Sequence, residues 1–144
     1  MDISPQGLQL LMGREGKRND VYRDSVGVLT VGYGHTGPDV REGEIWTDVQ
    51  VEEAFAKDLE RFENAVNRVA IPLEQHQYDA LVSFAYNVGT GAFLASTMKR
   101  LLDAGDIAGA AAQFDRWHIP AEITSRRNGE REQFKGTAFA PRIA

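Results

Sequence analysis

At 144 residues the chain fits one domain, long enough to bury roughly two-thirds of its unfolded surface without staples. Its net charge of −5 argues against general nucleic-acid binding, which draws on clustered Lys and Arg, and the absence of Cys excludes disulfides and thiolate chemistry. The first residues set Leu8, Leu10, Leu11 and Met12 among Asp2, Gln6, Gln9, Arg14 and Glu15, so neither a signal-peptide core nor a transmembrane stretch is read there, and stable membrane insertion is not expected.

Ser4 before Pro5 makes an N-cap followed by a proline at the first helical position. Leu8, Leu11 and Met12 then recur at helical spacing until Gly16, which leaves Glu15 at the helix C-terminus. From Asn19 to Thr36 the chain turns to Val, Tyr, Leu and Thr punctuated by Gly27, Gly32 and Gly34, the composition of a small antiparallel sheet. Gly37, Pro38 and Gly43 keep the next segment in loop. Thr47 with Gln50 then forms a capping box, and Val51, Phe55, Leu59, Phe62, Val66 and Val69 follow at intervals of three and four. This predicts a helix of about six turns, roughly 33 Å long, ending before Pro72.

Between Tyr78 and Val88 apolar residues fall on nearly every side, as in a helix buried by its neighbours. Short helices are predicted over about Thr97 to Ala104 closed by Gly105, over Ile107 to Trp117 capped by Asp106, and over about Ser125 to Phe134. The tail from Gly136 to Ala144 has no periodicity. The reading is a single α+β domain over 1–144: a small antiparallel sheet lobe over about 17–46, a connecting helix over about 47–69, and a larger helical lobe over about 73–135 that takes in helix 4–15. A cleft is expected between the lobes.

Glu15, Asp24 and Thr30 bring two carboxyls and a hydroxyl into one short stretch, which is what glycoside hydrolysis needs. One carboxyl must donate a proton to the leaving oxygen while the other works on the opposite face of the sugar. Spacing alone decides little, because charged residues make up 26% of the chain. Each residue also has an ordinary explanation. Glu15 reads as a surface carboxylate, although a negative charge in the last helical turn faces the negative end of the macrodipole, at a cost of a few tenths of a kcal/mol. Asp24 before Ser25-Val26-Gly27 reads as an Asx-turn former, and Thr30 as a strand residue. His35 has no companion at metal-ligand spacing, with His76 and His118 far along the chain, so no metal is expected. Gly32 and Gly34 precede a loop and lack a third glycine, so no dinucleotide cofactor is read from them.

The surrounding residues say more. The string E-G-x-R-x-x-x-Y-x-D-x-x-G-x-x-T-x-G-x-G-H from Glu15 to His35 resembles the active-site segment of the phage-type lysozymes, glycoside hydrolase family 24. Gln77 to Gly89 resembles that family's central helix, and Phe93-Leu-Ala-Ser96-Thr97, Phe114-Asp-Arg-Trp117 and Arg126-Arg127-Asn-Gly-Glu130 follow in the family's order. The chain departs from the pattern over His118 to Thr124, where a Gly-rich turn is expected.

The resemblance implies a lysozyme-like fold and a muramidase that cuts the β-1,4 bond between N-acetylmuramic acid and N-acetylglucosamine. Glu15 would be the acid, with Asp24 and Thr30 holding the attacking water, so that the anomeric centre inverts. It further implies that Asp58 ion-pairs His35, that Arg126 or Arg127 reaches Glu15, and that Tyr86 and Ser96 face the sugar. No cofactor is implied. The partner is the glycan strand of peptidoglycan, met by a monomer held in the host cytoplasm until it is released to the wall. Two rivals follow from the same residues. A lytic transglycosylase would dispense with the water that Asp24 and Thr30 are placed to hold, and a non-catalytic wall-binding module of a phage particle would not need the complete triad.

Overall fold

A computed structural model of the protein describes residues 1–117 and 123–136. It is mostly helical, with one two-stranded antiparallel sheet, and divides into two compact units. One comprises Gln9–Glu60; the other comprises Met1–Leu8 and the chain from Arg61 onward. Two helices run from one unit into the other: α1 (Pro5–Glu15) and α2 (Asp48–Val66).

In the unit over Gln9–Glu60, β1 (Arg18–Arg23) pairs with β2 (Leu29–Gly32) in the register Tyr22↔Thr30 and Arg23↔Leu29, with a bulge between Arg18 and Tyr22. The other edge of β1 is taken by the loop before α2, through Val21 N to Glu44 O at 3.0 Å and Trp46 N to Asn19 O at 2.7 Å. Gly32, at φ +68°, lets β2 turn back, and a Cβ there would lie 2.9 Å from Val51 Cγ1. Val31, Tyr33, Val40, Val51, Phe55 and Leu59 form the core of this unit. The Tyr33 and Phe55 rings sit 4.6 Å apart. Each such side chain contributes about 1.5–3 kcal/mol by leaving water.

α2 opens with the capping box expected of Thr47 and Gln50. Gln50 N donates to Thr47 Oγ1 at 3.1 Å and Thr47 N to Gln50 Oε1 at 2.9 Å. The helix stops at Val66 instead of running to Val69. Arg68 N and Val69 N bond to the carbonyls three residues back, which tightens the last turn ahead of Pro72.

In the other unit α3 (Gln75–Val88) is buried along Tyr78 to Ala85, as its sequence predicts. It packs on α7 (Thr124–Lys135), which Gly136 closes in the left-handed conformation. Phe84 is the centre of an aromatic cluster with Phe93, Phe114 and Trp117 at centroid distances of 6.4, 5.5 and 5.4 Å. A one-and-a-half-turn helix unforeseen in the sequence, α4 (Thr90–Leu94), follows the positive-φ joint at Gly89 and buries Phe93. α5 (Thr97–Asp103) is capped by Ser96, and α6 (Ile107–Gln113) by Asp106. The helix predicted as far as Trp117 instead tightens to 3-10 geometry over Phe114–Arg116, with Trp117 N bonded to Phe114 O at 3.2 Å. Residues 118–122, where the sequence departs from the family pattern, and the tail 137–144 lie outside the described residues.

Candidate active site

Glu15, Asp24 and Thr30 all fall in the unit over Gln9–Glu60. Glu15 is the last residue of α1 and half-buried. Gly16, at φ +69°, ends the helix behind it, with its N–H on Met12 O at 3.0 Å. The expected position of the carboxylate in the last helical turn is therefore found.

Asp24 follows the end of β1 and folds the hairpin around itself. Its Oδ1 accepts from Val26 N and Val28 N, both at 2.9 Å, while its own N–H donates to Val28 O at 2.9 Å. This is the Asx-turn read from the sequence, closed by Gly27 at φ +86°. Among the described residues nothing donates to Asp24 Oδ2.

Thr30, on β2, is 4% exposed, and its Oγ1 donates to the same Val28 carbonyl at 2.9 Å. Asp24 and Thr30 are thus held by a single peptide group at Val28. Sequence reasoning named both residues but missed that hub, because backbone groups leave no residue signature.

His35 stands where β2 has turned back, with His35 N on Val31 O at 2.8 Å. Its Nδ1 lies 2.7 Å from Asp58 Oδ2 on α2, the partner that the resemblance implies. Its Nε2 lies 2.9 Å from Asp39 Oδ2, a partner the sequence reading did not include. Burial disfavours the charged ring, but the hydrogen bonds to Asp58 and Asp39 outweigh it, and the His35 pKa is raised. For Asp39 desolvation likewise opposes the charge, but the His35 hydrogen bond and charge together outweigh it and lower its pKa. Trp46 covers the imidazole at a centroid distance of 5.5 Å. Among the described residues no group of three or more His, Cys, Asp or Glu side chains is arranged to hold a metal ion.

The other named residues belong to the second unit. Tyr86 is half-buried with its ring 4.9 Å from Phe62. Ser96 is 8% exposed and caps α5, its Oγ donating to Phe93 O at 2.6 Å and accepting from Lys99 N at 3.1 Å.

Arg126 and Arg127 are not solvated helix residues. They converge on Glu130, which is fully buried. Arg126 Nε lies 3.2 Å from Glu130 Oε2 and Arg127 Nη1 2.6 Å from Oε1, and Ser83 Oγ donates to Oε2 at 2.5 Å. Arg126 also donates to Ser83 O, and Arg127 to Trp117 O and Asn87 Oδ1. A buried carboxylate is tolerated here because every oxygen meets a donor. Glu130 appears in the sequence only as part of a short block, and neither Ser83 nor Asn87 signals that it faces this network.

Comparison with known proteins places the chain in a family. The phage lysozyme family matches residues 12–130. The chain is 38% identical to the endolysin of Salmonella phage P22 over 143 residues, covering 93% of this chain and 98% of that protein. It is 40% identical to the endolysin of Bacillus phage PZA over 121 residues, 82% of this chain, but spans only about half (47%) of that relative's length. Among solved structures, the muramidase domain of SpmX from Asticaccaulis excentricus superposes with a TM-score of 0.86 at 33% identity, covering 97% of this chain and 99% of that one. On the family match over residues 12–130 and the identity to an endolysin along nearly its whole length, the chain belongs to the phage lysozyme family.

Proposed function

We propose that the protein is a muramidase that hydrolyses the β-1,4 bond between N-acetylmuramic acid and N-acetylglucosamine in peptidoglycan, acting as a monomer in phage lysis of the host. The observation that carries this reading is the hairpin that ties the Asp24 amide and the Thr30 hydroxyl to one carbonyl, Val28 O, on the same unit as Glu15. Glu15 donates its proton to the glycosidic oxygen as the bond to the anomeric carbon breaks. A water attacks that carbon from the opposite face and gives a proton to Asp24.

The orientation of that water follows from the hydrogen bonds. Thr30 spends its only proton on Val28, so it can only accept from the water, and Asp24 Oδ2 can accept the other hydrogen. With both hydrogens held, the oxygen lone pair is left to face the sugar. Attack by water, without a covalent intermediate on Asp24, gives inversion.

Tyr86 and Ser96 are proposed to shape the sugar-binding surface, Ser96 through the chain it caps, because its hydroxyl is engaged within the protein. No helix among the described residues is long and apolar enough to cross a membrane. Separately, from the endolysin family, we propose that the enzyme is held in the host cytoplasm until it is released to the wall.

The test is digestion of purified peptidoglycan with mass spectrometry of the new ends. Reducing N-acetylmuramic acid is expected. A 1,6-anhydro product would instead make the protein a lytic transglycosylase, and undigested wall with no turbidity loss from permeabilised cells would make it a wall-binding module.

A further inference from the structure

We infer that Asp79, a buried carboxylate of α3, is a positioning residue for Glu15 and acts through α1; this rests on the reading of Glu15 as the acid. Asp79 is 4% exposed, and among the described residues no basic side chain bonds to it. Its donors sit at the start of α1: Ser4 N reaches Oδ1 at 3.0 Å and Ser4 Oγ bonds Oδ2. Gln75 Nε2 adds a bond to Oδ1 at 2.7 Å. Ser4 Oγ in turn accepts from Gly7 N at 3.0 Å, so one carboxylate holds the N-cap residue of α1 by both its backbone and its side chain. The approach continues to Gly7, where an added Cβ would collide with the Asp79 carboxyl group.

The preceding residues are clamped to the same unit. Tyr78 Oη donates to Met1 O at 2.7 Å, Gln75 Nε2 to Asp2 O at 3.0 Å, and Ile3 N to Glu63 Oε2 at 2.8 Å.

This clamp matters because it meets α1 on its most buried stripe, while Leu8, Leu10, Met12, Arg14 and Glu15 are only half-buried. Only Gly7 and Leu11 are buried within Pro5–Glu15. Gly7, Leu11 and Glu15 follow one another at i, i+4 and i+8, along one stripe of the helix. The stripe that meets Asp79 at Gly7 therefore carries Glu15 about 12 Å further along, at 1.5 Å per residue. Any shift or roll of the helix start is transmitted to the acid, and small misplacements of a reacting group lower the rate far more than they alter binding.

The experiment measures kcat and KM on soluble glycan strands for Asp79→Ala, Asp79→Asn and Gly7→Ala, with Leu102→Ala as a buried control in the same unit, each below its unfolding transition. Asp79→Ala and Gly7→Ala should each lower kcat by roughly tenfold with KM within about twofold. Asp79→Asn, which keeps Oδ1 for Ser4 N and Gln75, should restore most of the loss. Gly7→Ala is informative because alanine ordinarily favours a helix interior, so lost activity with a retained fold cannot come from the helix melting. It also carries the test if Asp79→Ala does not fold. Unchanged kcat in Gly7→Ala and in whichever Asp79 variants fold, or an equal loss in Leu102→Ala at matched Tm, would overturn the inference. Glu15→Gln assayed beside them separates the two claims. An active Glu15→Gln removes the acid assignment itself, whereas an inactive one with unaffected Asp79 and Gly7 variants removes only the positioning role.

Discussion

The single proton of the Thr30 hydroxyl goes to Val28 O at 2.9 Å, so on the proposed mechanism Thr30 serves the attacking water only as an acceptor. Thr30→Val keeps the volume and branching of the side chain and removes that acceptor. Val28 O still takes the Asp24 amide at 2.9 Å, so the hairpin should hold. We expect kcat to fall by roughly 10²-fold with little change in Tm, and Thr30→Ser to recover most of the rate; an active Thr30→Val enzyme would remove Thr30 from the water site. Glu15→Gln is the complementary change, since an amide of the same shape cannot supply the proton. A loss of about 10²–10⁴-fold in kcat or more is expected, with an unaltered circular dichroism spectrum. These candidates stand out in the sequence because they sit in one contiguous string with their turn glycines, and the turn-forming role of Asp24 is found in the hairpin.

At the scale of elements, His35 joins three pieces of one unit: β2, to which it bonds back at Val31, α2 through Asp58, and the intervening loop through Asp39. Its folded pKa is raised, so its contribution to stability is full below the unfolded value near 6.5 and is lost as pH rises through the folded value. Asp39 is lowered, so its contribution is full above its ordinary value of 3.8 and lost as pH falls through the folded one. The gap in Tm between wild type and His35→Asn should accordingly be widest in mildly acidic buffer, around pH 5, and narrow towards pH 9. A gap that is constant with pH would mean that the ring acts only by packing against Trp46. Asp58 is the partner that the family resemblance implies, whereas Asp39 lies in a loop without a register and nothing in the sequence reading points to it. The same contrast holds along the chain. Ser4-Pro5 and the Thr47/Gln50 box announce helix starts by local chemistry. α4 carries no such signal and exists because Gly89 turns the chain and Phe93 finds the Phe84 cluster.

For the whole molecule, the order of elements and the family were legible, but the contacts that join distant elements were not. Ser83 and Glu130 are 47 residues apart and become partners only when α3 meets α7, so no local pattern could separate Arg126 and Arg127 from solvated arginines. Net charge is the one whole-molecule quantity that needs no contacts, and it bears on the proposed substrate. The chain carries −5 and bacterial envelopes are anionic, so approach to the wall is opposed at long range. Repulsion of this kind reaches about 30 Å at 0.01 M salt and only about 8 Å at 0.15 M. The initial rate of turbidity loss from permeabilised cells should therefore rise several-fold as NaCl is raised from about 0.01 to 0.15 M and then level off. Turnover of short soluble muropeptides at saturation should stay nearly flat over the same range, because encounter no longer limits it. A cell-lysis rate that falls steadily with added salt would mean that clustered basic side chains at the binding surface, and not the net charge, govern the approach to the wall.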